Sequence, residues 1–132
     1  MNLLILVVDD EPDVEALFRQ QFRREMRAGR FSMDFASSGT EALQRIHAAD
    51  SESLILLLSD INMPGMTGLE LLPRVKEMLP DLPVIMITAY GDAATMRRAK
   101  EAGADDVFGK PIDFAVLKAE IDQRLIARGL PA

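Results

Sequence analysis

The 132-residue sequence has no cysteine, a single histidine and no uninterrupted apolar run long enough to span a bilayer. Zero cysteines exclude disulfides, thiolate metal sites and a cysteine nucleophile. One histidine argues against a zinc site or a Ser-His triad, and His47, beside an apolar helical stripe, reads as a boundary residue without a role. The first ten residues carry no basic segment, and their apolar run ends in acids. This argues against a signal peptide and for a cytoplasmic protein. A net charge of −6 disfavours nucleic-acid binding by the surface as a whole. No repeat, low-complexity tract or interdomain linker is visible, so residues 1–132 are expected to form one domain.

What is present is a regular alternation of two patterns. Residues 3–8, 54–58 and 84–87 are continuous apolar runs, the signature of strands buried on both faces. Residues 31–36 alternate instead, with Phe31, Met33 and Phe35 on one side, which marks a sheet edge. Val107 and Phe108 make a brief last strand. Between these lie helical periodicities. Pro12 opens a helix over residues 12–28, with Val14, Leu17, Phe18, Phe22 and Met26 inward and Gly29 as its stop. Gly39 and Thr40 open a second, packed through Ala42, Leu43, Ile46 and Ala49.

Thr67 and Glu70 have capping-box spacing for a third helix, with Leu69, Leu72, Val75, Met78 and Leu79 inward. Pro73 is expected either to kink it or to delay its regular start. Asp92 caps a helix over residues 93–102 whose inner face, Ala93, Met96 and Ala99, is poor in large apolar groups. Asp113 caps the last, with Phe114, Leu117, Ile121 and Leu125 inward. Five strand-helix units imply right-handed crossovers and a parallel sheet covered on both faces. With the continuous runs central and the others at the edges, a doubly wound order 2-1-3-4-5 satisfies the pattern.

Parallel strands put every strand's carboxyl end on one edge, which gathers Asp9, Asp10, Asp60, Thr88 and Lys110 around one crevice. Taken singly, Asp10 and Glu11 read as helix-capping acids and Asp60 as a turn former. Taken together, the acids repel by roughly 4 kcal/mol per pair at 4 Å for an effective dielectric of ~20. A hard divalent cation relieves that repulsion, and Mg²⁺ suits oxygen ligands. A carboxylate nucleophile, a metal, a lysine and a hydroxyl describe a phosphoryl-accepting site.

Asp9-Asp10-Glu11, the segment from Asp60 through Asn62-Met63-Pro64-Gly65 to Gly68, Thr88-Ala89 and Lys110-Pro111 occur in order. On these motifs residues 3–126 resemble the receiver domains of two-component response regulators, of the chemotaxis-regulator kind. The resemblance implies a five-stranded flavodoxin-like three-layer sandwich. It implies that Asp60 accepts a phosphoryl group from a phosphohistidine of a sensor histidine kinase or phosphotransfer protein. Asp10, Asp60 and the backbone carbonyl of Asn62 would ligate Mg²⁺, or Mn²⁺ in its place, with Asp9 assisting. Lys110 and Thr88 would contact the phosphoryl group, and Lys110-Pro111 would be cis. Phosphorylation would shift Thr88 and residues 88–108 and change partner binding, including dimer formation. Many receivers carry an aromatic residue three positions before the lysine; Val107 stands there, with Phe108 next, so Thr88 is expected to act through backbone and helix shifts.

Two other classes of protein fit less well on the residues. A metal-dependent aspartyl-phosphate phosphatase of the haloacid dehalogenase type needs a second aspartate two positions on. Asn62 stands there and cannot transfer a proton, which favours a slowly reset switch over a turnover enzyme. A flavin-binding module would need a first loop that cradles phosphate, and Asp9-Asp10-Glu11 would repel it. Tyr90 reads as surface packing near the site. Arg19, Arg23, Arg24, Arg27 and Arg30 make the later half of the first helix basic, either a solvated face or a docking surface for an acidic partner. No DNA-binding, cyclase or kinase segment is read within the 132 residues, so the output lies in another domain or partner.

Overall fold

Continuous apolar runs have no polar side to offer water, so they belong between two helical layers. The computed structural model describes residues 3–49, 53–89 and 93–130 and places them there. The strands are β1 (Leu4–Val8), β2 (Ser32–Ala36), β3 (Leu54–Asp60), β4 (Val84–Thr88) and β5 (Asp106–Gly109). They form one parallel sheet in the order β2-β1-β3-β4-β5, the arrangement expected from the pattern of runs. All seven residues of β3 are buried.

Side-chain alternation splits the core in two. One layer, α1 (Pro12–Gln21), α2 (Arg23–Arg27) and α6 (Phe114–Ala127), covers Ile5, Val7, Leu58, Ile85 and Ile87. The other, α3 (Gly39–Ala48), α4 (Gly68–Met78) and α5 (Ala93–Glu101), covers Leu6, Val8, Leu57, Val84 and Met86. The β1–β3 register shifts once, Leu4 pairing with Leu54 and Ile5 with Leu56, so Ile55 and Leu56 fall in the same core. Such a bulge resets the alternation of everything after it, including Asp60.

Several local expectations needed correction. The helix expected over residues 12–28 is broken at Phe22, whose φ of −106° and ψ of 17° leave the helical well. Its N–H still reaches the Phe18 carbonyl at 2.9 Å, and Met26 N–H reaches the Phe22 carbonyl at 3.0 Å. The cause is packing: the Phe22 ring lies against those of Phe18, Phe31 and Phe114, and tertiary contact outweighs helical regularity. Gly29, at φ 73°, ends the element as expected.

α4 does not wait for Pro73. It starts at Gly68 behind a complete Thr67–Glu70 capping box, and Pro73 sits inside it on the exposed side. Leu71 is fully buried there, whereas Met78, expected inward, is exposed. α3 begins one residue after Ser38, whose hydroxyl accepts the Glu41 N–H; His47 is exposed. In α5 only Ala99 is buried, and Ala93, expected inward, is exposed. Asp92 as a cap and Tyr90 lie outside the described residues. Asp113 caps α6 by accepting from Ala115 and Val116. No helix among the described residues is long and apolar enough to cross a membrane.

Candidate functional site

Four strand ends bring side chains to one edge. Asp9 follows β1, Asp60 closes β3, Thr88 closes β4 and Lys110 follows β5. Asp9, Asp60 and Lys110 continue the alternation of Val7, Leu58 and Phe108, which face the α1/α6 layer. That shared parity is why they meet. Asp9, Asp10 and Asp60 each present an oxygen within 4.8 Å of the others. Lys110 Nζ stands 3.4 Å from Asp9 Oδ2 and 3.4 Å from Asp60 Oδ2. Asp60 is only 3% exposed.

The backbone around these groups is tightly held. Asp9 Oδ1 accepts the Glu11 N–H at 2.9 Å, which fixes the carboxylate at the head of α1. The Asp9 N–H donates to the Ala36 carbonyl at 3.0 Å. The Lys110 N–H donates to the Thr88 carbonyl at 2.8 Å, and the Lys110–Pro111 bond is cis. The Asn62 N–H reaches Asp60 Oδ1 at 3.4 Å, while the Asn62 side chain is exposed. In the sequence Gly68 stands inside the capping-box segment and at the end of the Asp60 motif, with no steric role assigned. A Cβ there would run into the Asp60 backbone oxygen and come within 2.9 Å of Ile61 Cα. Its N–H donates to the Ile61 carbonyl at 2.9 Å, so α4 docks directly on the backbone that carries Asp60. The sequence signal was a glycine at the first helical position, where a better helix former costs nothing elsewhere.

Burial pushes the Asp60 carboxyl above the ordinary aspartate range, reinforced by the Asp9 charge and opposed by Lys110 and the Asn62 N–H. Burial alone would lower Lys110, but the Asp60 and Asp9 charges outweigh it and hold the ammonium above the usual lysine value. An all-oxygen donor set with three converging carboxylates fits a hard divalent cation such as Mg²⁺. Thr88 is buried at this edge on the opposite parity, that of Val84 and Met86. Val107 shares the Thr88 side and packs in the α5 core, whereas Phe108 belongs to the α1/α6 core. Phe108 therefore does not stand in for an aromatic residue at the Val107 position.

A doubly wound parallel sheet with an acid cluster and a lysine at its carboxyl edge places the site in the crevice where ligands of such α/β domains bind. Residues 5–122 match the response regulator receiver domain, and the chain belongs to that family. It is 34% identical to sporulation initiation phosphotransferase F of Bacillus subtilis (strain 168), over 95% of this chain and 95% of that protein. It is 37% identical to the response regulator protein PilR of Pseudomonas aeruginosa over 86% of this chain but 24% of that protein. It likewise spans only 31% of a cyclic di-GMP phosphodiesterase of Thermotoga maritima. Among solved structures, the response regulator TrrA from Thermotoga maritima, in complex with Mg²⁺-BeF, aligns with a TM-score of 0.78 and 31% identity. That alignment covers 93% of this chain and 99% of that one. Receiver domains are the phosphoryl-accepting signalling domains of two-component systems, and they bind Mg²⁺ at an acidic pocket.

Proposed function

We propose that this chain is a phosphorylation-activated switch in which Asp60 accepts a phosphoryl group from a phosphohistidine of a sensor histidine kinase or phosphotransfer protein. The observation that carries this reading is the convergence of Asp9, Asp10 and Asp60 within 4.8 Å, with Lys110 Nζ 3.4 Å from two of them. An Asp60 oxygen attacks phosphorus, the phosphorus–nitrogen bond breaks, and the histidine nitrogen takes up a proton. Asp9, Asp10, Asp60 and the backbone carbonyl of Asn62 would hold Mg²⁺, or Mn²⁺. Such a cation neutralises charge on the transferred oxygens. Lys110 supplies a second positive charge from the β5 side, and the Thr88 hydroxyl donates to the phosphoryl group once it turns inward.

The residue after next from Asp60 is Asn62, whose amide cannot relay a proton. This supports a slowly reset aspartyl phosphate over phosphatase turnover, so the domain assists its own phosphorylation and hydrolysis without acting as an enzyme on other substrates. Residues 1–132 constitute one receiver unit, placed in the cytoplasm with its kinase, and its output is carried by another domain or partner, including a phosphorylation-dependent dimer. Acetyl phosphate with Mg²⁺ tests the reading. One phosphoryl group is added to the wild type and none to Asp60→Asn; labelling of both to the same extent removes Asp60 from the role.

A further inference from the structure

Residues 19–30 hold five arginines and one acid, Glu25, a local charge of +4 in a chain of −6. The remainder of the protein therefore carries −10, which sets this segment apart. Two of the five arginines are already committed. Arg19 pairs with Glu15 at 2.9 Å, and Arg30 with Asp122 of α6 at 2.6 Å. Glu25 is drawn away from its own helix to Lys118, 3.2 Å distant on α6. Arg23, Arg24 and Arg27 are exposed, and none of them forms an ion pair with a described residue.

We propose that Arg23, Arg24 and Arg27 on α2 form a docking surface for an acidic segment of a protein partner. Arg23 and Arg27 lie one turn apart on the same face, about 6 Å between Cβ atoms, the spacing of carboxylates at i and i+4 on a facing helix. Guanidinium groups engage carboxylates through two parallel hydrogen bonds, which favours acidic side chains with defined geometry. A long polyanion is a poorer fit, because beyond three arginines it meets the negative remainder of the surface. α2 follows the far end of α1, whose ten residues rise roughly 15 Å at 1.5 Å per residue from Pro12 beside the acids, so it lies outside the phosphoryl-accepting crevice. The inference does not depend on the function of Asp60.

The test uses the full ¹⁵N-labelled chain and a helical peptide carrying four glutamates at i, i+4 spacing. Amide shifts are expected within residues 19–30, with affinity reduced about tenfold or more in Arg23→Ala/Arg24→Ala/Arg27→Ala and abolished by high salt. The amide spectrum of the triple variant outside residues 19–30 is expected to be unchanged, which shows that it folds. Peptide shifts that persist in the triple variant overturn the proposal. So does tighter binding, through the same arginines, of duplex DNA or phosphatidylglycerol vesicles at matched charge concentration.

Discussion

Lys110 and Asp60, fifty residues apart in sequence, face each other at 3.4 Å across the carboxyl edge of the sheet. Among the described residues the lysine is the one cation paired with Asp9 and Asp60, so its removal leaves two low-exposure carboxylates to repel each other. Lys110→Ala is expected to fold at a cost on the order of 1 kcal/mol, read as a lowered urea midpoint in metal-free buffer. The phosphorylated variant is expected to lose its conformational response. An unchanged response to phosphorylation would remove Lys110 from the site.

Gly68 makes a second, steric prediction. A methyl group there meets backbone atoms of Asp60 and Ile61, which cannot rotate out of the way. Gly68→Ala is expected to destabilise the fold by roughly 1–3 kcal/mol despite alanine's better helix propensity, and to slow labelling of Asp60. A variant as stable as the wild type and labelled at the same rate would show that α4 does not bear on the Asp60 backbone.

The β2–α3 turn yields the pH dependence. The Ser37 hydroxyl, 2.8 Å away, and Arg45 hold the Glu41 carboxyl below the ordinary glutamate range. A depressed folded-state pKa contributes stability that is complete above the unfolded value of about 4.3 and is lost as pH falls through the folded value. The effect is small because Glu41 is solvent-screened. The midpoint difference between wild type and Glu41→Gln is expected to be largest near neutrality and to shrink below about pH 4. A difference independent of pH would contradict the Ser37–Glu41–Arg45 arrangement.

Phosphorylation is expected to alter hydrogen-exchange protection across residues 88–108. α5 contributes only Ala99 to the buried core, and Thr88 and Val107 border the same side of the sheet. An element held by so few apolar contacts is readily displaced. Identical exchange in both states would place the switch elsewhere.

The strand order and the site were legible because they follow from apolar runs that end in charged residues. Leu54 to Leu58 could only be central, and parallel strands then carry Asp60, Asp9 and Lys110 to one edge. The misreadings arose where three-dimensional packing overrode local pattern. Phe22 fits helical spacing, but its contacts with three other phenylalanine rings break the helix there. Of the two expectations for Pro73, a kink or a delayed start, the delayed start does not hold: the capping box read at Thr67 is complete, and with Leu71 and Leu72 buried the helix begins at Gly68. A glycine at the start of a helix hinted at a constraint on Gly68, but the constraint itself comes from a backbone up to eight residues earlier in the chain, which local pattern does not show.

The central claim is that Asp60 is the phosphoacceptor, and site-resolved mass spectrometry tests it most directly. After incubation with acetyl phosphate and Mg²⁺, the account predicts a single phosphoryl group on the fragment containing Asp60. That group is absent when Mg²⁺ is chelated and absent in Asp60→Asn. Modification at another residue, or labelling of Asp60 that does not depend on Mg²⁺, would contradict it.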